Sequence, residues 1–165
     1  MAIIAIDSSG VVGQPPIYFI AARIKYRRGR IDHKSQRHLK IMVGNELHDS
    51  FINKAQGWRL KLSAALIYYV MICLLHHEDK IVIDVDFDPS NRIIVKRYID
   101  KLLFTYHRET PIQHCPFEFK SIREDECVRI VDFKTKKARR EYIHPNERVK
   151  ESILNEFFDV LKKIR

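Results

Sequence analysis

The sequence predicts an α/β domain: a mixed five-stranded sheet, an antiparallel meander followed by parallel strands, with helices on both faces. Three observations predict it. Three β-type segments come before any helical pattern. Two short segments, Ile3 to Ile6 and Ile81 to Ile83, are continuously apolar, as strands buried on both faces are. After residue 45, strand-like and helical segments alternate, which requires parallel crossovers. The order is β-β-β-α-β-α-β-α-α. With no repeat, low-complexity tract or linker, the 165 residues read as one domain, 1–165.

Residues 2–7 form the first strand, ending in Asp7 and a turn through Ser8, Ser9 and Gly10. After a loop rich in Gly and Pro, residues 17–29 form a second strand long enough to project from the body. Gly29 and Arg30 mark a turn, and residues 30–43 return as a third strand. Residues 57–80 form a helix that is apolar on most sides over Leu62 to Leu75, so it packs centrally on the sheet. Residues 80–87, KIVIDVDF, are the fourth strand. Asp88 and Pro89 are a cap and first helical position for a helix through residue 109. A loop at 111–116 leads to a fifth strand, FEFKSIRE, at 117–124. Residues 125–143 form a helix broken at Pro145, and residues 147–165 close as an amphipathic helix.

Composition excludes several classes. Hydrophobic residues make up 45% and charged residues 31%, the balance of a globular protein. No apolar run approaches the roughly 18 residues of a membrane span. The start MAIIAID has neither a basic segment nor a cleavage site, so the expectation is a cytoplasmic protein without a signal peptide. Cys73, Cys115 and Cys127 are odd in number and far apart, which gives no disulfide framework and no zinc pair. There is no Walker loop, dinucleotide fingerprint or serine triad signature. The richness in Ile, Lys, Arg and Glu suits a thermophile. The net charge of +9 points to a polyanionic partner, most simply nucleic acid, and to no membrane.

The acids carry the chemistry. Asp7 ends one central strand, and Asp84 or Asp86 ends the other. On neighbouring strands these carboxylates stand side by side. Packed about 4–6 Å apart they repel, unless a cation lies between them. Oxygen ligands favour Mg²⁺ or Mn²⁺. Period two puts Asp84, Asp86 and Asp88 on one face; Asp88 is a helix cap, and Asp86 is preferred to Asp84 because it lies nearer the strand end. Asp7 itself has a second reading, as a cap on the turn that follows. Glu46 either opens a helix, favoured there by the helix dipole, or faces the same site. Asp132 stands inside a helix, where Asp is a poor former, so it is either salt-bridged or a ligand, with Asp125 as the substitute.

The strand order, the stretch IIAIDSSG, the acids ending strand four and the acid on the late helix resemble the ribonuclease H-like superfamily of resolvases, integrase cores and exonucleases. The resemblance implies two Mg²⁺ or Mn²⁺ ions that activate water for phosphodiester hydrolysis. It implies Asp7 as the strand-one acid, Asp86 or Asp84 as the strand-four acid, Asp132 as the late-helix acid and Glu46 as the first-helix acid. No subfamily signature stands out, and the sequence DEAGRG of one ribonuclease H type is absent.

The positive charge falls in two segments. Arg23 to Lys40 holds eight basic residues against Asp32, among them Arg27, Arg28, Arg30, Lys34 and Arg37. Arg129 to Arg140 holds six against Asp132, among them Lys134, Lys136, Lys137, Arg139 and Arg140. Both segments are expected to flank the acids, where they would track a phosphate backbone. Tyr18, Phe19, Tyr26 and Trp58 are the aromatics available to stack on bases. The expected function is a metal-dependent nuclease, with a lean from the resemblance toward exonuclease action on single strands. The alternative is a non-catalytic nucleic-acid-binding domain of the same fold.

Overall fold

A computed structural model describes residues 2–33, 37–74, 80–84, 88–114, 116–121, 123, 125–141 and 149–164, with backbone alone for 9–11, 113–114 and 134–141. The chain opens with β1 (Ala2–Val11), which pairs antiparallel with β2 (Gln14–Arg27), Ile6 opposite Ala21 and Asp7 opposite Ile20. At the far end of β2, Arg28 and Gly29 adopt φ of +53° and +74°. Two successive left-handed residues make the tight turn whose twist matches a hairpin. The chain returns along the free edge of β2 in two pieces, β3 (Arg30–Ile31) and β4 (Arg37–Val43).

On the other side of β1 lie β5 (Lys80–Asp84) and then β6 (Phe117–Lys120), both parallel to it in direction. The sheet is mixed, as predicted, but among the described residues has six strands rather than five. The difference is local: the predicted third strand is interrupted, and its halves lie end to end on β2. The predicted fifth strand is also shorter, ending at Lys120 instead of running to residue 124.

Among the described residues five α-helices cover the sheet: α1 (Asn45–Asp49), α2 (Trp58–Leu74), α3 (Pro89–His107), α4 (Glu126–Glu141) and α5 (Glu151–Lys162). Asp88 caps α3 as expected, its carboxylate accepting the Asn91 N–H at 2.9 Å, with Pro89 at the first helical position. Helix α5 buries Leu154, Phe157, Phe158 and Leu161, the spacing of one helical face.

Alternation along the strands sorts two cores. Ile4, Ile6, Ile81 and Ile83 pack with the apolar residues of α2, α3 and α5 on one face. Ala5, Ile20, Ile24 and Val82 pack with Cys127, Val128 and Val131 of α4 on the other. Helices therefore cover both faces, three main ones on one side and α4 on the other. The turn between β1 and β2 is tied down from the larger side: the Gly13 N–H donates to Nε2 of the buried His48 on α1 at 2.8 Å.

Candidate functional site

The smaller face carries the acids. Ala5 and Val82 belong to the core under α4, and period two places Asp7 and Asp84 beyond them on the same face. The register Ile6 opposite Ile83 brings the next residues, Asp7 and Asp84, side by side at the ends of adjacent parallel strands. On α4, Asp132 follows Val128 by four residues, so it lies one turn beyond the seated part of the helix. Three carboxylates from β1, β5 and α4 thus converge. One oxygen of each lies within 4.8 Å of the others. Asp7 is 4% exposed, while Asp84 and Asp132 are half-buried.

This donor set suits a hard divalent cation. Carboxylate oxygens are the ligands that Mg²⁺ and Mn²⁺ prefer, and three negative charges this close repel unless neutralised. Oxygens about 2.0–2.1 Å from one Mg²⁺ lie no more than ~4.2 Å apart. A spread of up to 4.8 Å therefore fits one ion after a small side-chain rotation, or a pair of ions.

Three of the acids singled out for metal in the sequence, Asp7, Asp84 and Asp132, meet here. Asp86, preferred there to Asp84, lies outside the described residues. Glu46 does not belong to the group: it is exposed in the first turn of α1, where its charge complements the helix dipole. Asp125, the substitute for Asp132, lies outside the group as well and caps α4. Its Oδ1 accepts the N–H groups of Cys127 and Val128 at 2.8 and 3.2 Å at the start of α4.

The basic residues divide differently from expectation. Arg27, Arg28, Arg30 and Arg37 are exposed on the hairpin, whose tip lies at the end of β2 away from Asp7. Asp7 pairs with Ile20, six residues back along β2 from Tyr26. At ~3.3 Å per residue Tyr26 lies about 20 Å away along the strand, past the opposite end of β1, and the turn at Arg28 and Gly29 lies further still. Lys34 and the side chains of Lys134, Lys136, Lys137, Arg139 and Arg140 lie outside the described residues. Of the aromatics, Tyr18 and Phe19 are core and Trp58 packs against the core, while Tyr26 is exposed and donates from its hydroxyl to Glu126 at 2.9 Å.

Two lysines stand nearer the acids: Lys40, which closes the first basic segment, and Lys120, which carried no site role in the sequence. Lys40 on β4 pairs with Ile20, which pairs with Asp7, so it stands two strands from Asp7 at the same level. Its neighbours Leu39 and Ile41 point into the larger core, which turns Lys40 to the acidic face. On the other flank Lys120 pairs with Asp84, again on that face because Phe119 is directed to the larger core. Lys120 Nζ also lies 3.3 Å from Glu118, whose carboxyl is held below its usual range first by a hydrogen bond from Lys80. The alternation Phe-Glu-Phe-Lys at 117–120 was the available signal for Lys120; its pairing with Asp84 requires the sheet.

No protein-family model, curated protein or solved structure matches the chain. Fold and site thus define a class in chemical terms: an α/β protein with a mixed sheet and three converging carboxylates. Among the described residues no helix is long and apolar enough to cross a membrane.

Proposed function

We propose that this chain is a metal-dependent nuclease of ribonuclease H-like architecture that hydrolyses phosphodiester bonds of DNA or RNA. The observation that carries the reading is the convergence of Asp7, Asp84 and Asp132 from three separate elements. Two divalent cations, Mg²⁺ or Mn²⁺, would when bound supply an activated water and neutralise charge on the leaving oxygen.

The chain's own residues have separable tasks. Asp7 is fixed by a central strand and buried, so it orients the site. Asp84 and Asp132 bind from the half-exposed side, where a phosphate can approach. Lys40 and Lys120 stand on the two flanks of the acids and draw the anionic strand toward them. A nucleic-acid partner and a cytoplasmic setting belong to this reading.

The test is a cleavage assay on labelled single- and double-stranded DNA and RNA with Mg²⁺, Mn²⁺ or EDTA. Cleavage that requires metal and disappears in Asp84→Asn is expected. Activity that survives EDTA removes the metal mechanism. Salt-sensitive binding without turnover in either metal leaves the non-catalytic nucleic-acid-binding domain.

A further inference from the structure

Between the hairpin turn and α4 runs an open groove of about 670 Å³. Its apolar lining is Ile31 from β3 with Ile130 and Phe133 from α4, and its polar lining includes Arg30, Arg129 and His33. Phe133 is 64% exposed, on the helix that carries Asp132 and next to it in sequence. A lone exposed apolar residue is ordinary on a protein surface, but Phe133 lines one groove together with Ile31 and Ile130. An acid also lines the groove, Glu126, but its carboxylate accepts a hydrogen bond from the Tyr26 hydroxyl at 2.9 Å. A second hollow shares Arg30, Ile31 and His33 and continues the basic surface onto Arg27 and Arg28.

We propose that this groove is a binding subsite for an unpaired stretch of nucleic acid, one base stacking on Phe133 while Arg129 and Arg30 hold the adjoining phosphates. This rests on the nuclease reading, and names its substrate as single-stranded or locally unpaired. Charge and shape select the occupant together. The arginines favour a polyanion, and the flat apolar ring favours a ligand that offers a π-face. A duplex presents its phosphates but keeps its base faces inside the stack, so it can use the arginines but not Phe133. The groove lies on the α4 face of the sheet, which is the face of the carboxylates. A strand seated there can continue along α4 toward Asp132.

The test is fluorescence anisotropy in EDTA, where no metal-dependent cleavage competes. The probe is a labelled oligothymidylate of about 12 nucleotides, compared with a duplex of the same length. Phe133→Ala should bind the single strand about 5- to 150-fold more weakly, the equivalent of roughly 1–3 kcal/mol per stacked base. Its affinity for the duplex should stay close to wild type, and Phe133→Trp should restore single-strand binding. Arg30→Gln with Arg129→Gln should weaken both probes and flatten the salt dependence.

Unchanged single-strand binding in Phe133→Ala overturns the proposal, as does an equal loss for duplex. Displacement of the oligonucleotide by polyglutamate in wild type but not in Phe133→Ala would reassign the groove to an acidic protein. Cleavage with Mn²⁺, measured on the same variants, separates the two readings. Metal-dependent cleavage with binding indifferent to Phe133 sinks the groove and keeps the nuclease. Phe133-dependent binding without cleavage in any metal keeps the groove and sinks the nuclease.

Discussion

Asp7 and Asp125 are acids of the same type at opposite ends of one functional question. Asp7 stands 4% exposed among two other carboxylates, with which it shares a 4.8 Å neighbourhood. Changing Asp7 to Asn removes one of three mutually repelling charges, so thermal unfolding of the metal-free protein should hold steady or move upward. Cleavage should drop by about 100-fold or more, because a ligand is lost from the site where charge develops. A variant that unfolds early but cuts normally would return Asp7 to the role of a turn cap. Asp125 should behave inversely. Its Oδ1 satisfies two N–H groups at the start of α4, so Asp125→Ala should cost about 0.5–2 kcal/mol in denaturant unfolding. Cleavage per folded molecule should be unchanged.

At the scale of elements, a buried lysine joins α2 to the end of the chain. Lys61 is 1% exposed, donates from Nζ to the carbonyl of Ile164 and lies 5.9 Å from the centroid of the Tyr98 ring. Burial lowers its pKa from the ordinary 10.5. The folded chain therefore releases this proton at lower pH than the unfolded chain does. Between the lowered value and 10.5 the unfolded state binds more protons, so stability from this group rises with pH across that window and falls back as pH drops through it. Lys61→Met keeps the volume and removes the titration. Urea unfolding at a series of pH values should show wild type gaining on Lys61→Met as pH climbs toward 10.5. A constant difference between the two proteins would place the protonated and neutral lysine in equally favourable surroundings.

For the whole molecule the governing quantity is a net charge of +9, spread unevenly. Arg27, Arg28 and Arg30 lie about 23 Å or more from Asp7 along β2, far enough, on the nuclease reading, to hold a strand without touching the reacting phosphate. Replacing Arg27, Arg28 and Arg30 with Gln, Asn and Gln keeps a residue suited to φ of +53° at position 28. If all three meet phosphates, the slope of log affinity against log salt should fall in magnitude by about 2–3, since each contact contributes ~0.7–0.9. Cleavage at saturating substrate should be nearly unaffected, so the loss appears in KM and spares kcat. An unchanged salt slope would take the hairpin out of the binding surface.

The strand ends and the helix face were legible in the chain because they depend on short-range periodicity. Continuous apolar residues before Asp7 and Asp84 identified two central strands. Asp132 stood out because Asp is a poor former inside a helix, although that left a salt bridge and a ligand role equally open. Asp88 before Pro89 was equally local, a cap recognisable from two residues.

What only the tertiary structure decided was register and distance. The parallel alignment of Ile6 with Ile83 selects Asp84 as the neighbour of Asp7, something period two alone left open between Asp84 and Asp86. The antiparallel run of β2 carries its arginines away from the acids, although both lie early in the chain. Glu46 and Asp125 have the composition of ligands and the positions of helix starts. Lys40 and Lys120 gain their places beside the acids only through pairings across the sheet. The sequence by itself determined which residues are acidic, basic and apolar and how they alternate, since those follow from each residue and its near neighbours. Which of them meet was decided by strand pairing, because hydrogen-bonded ladders join residues that no local pattern connects.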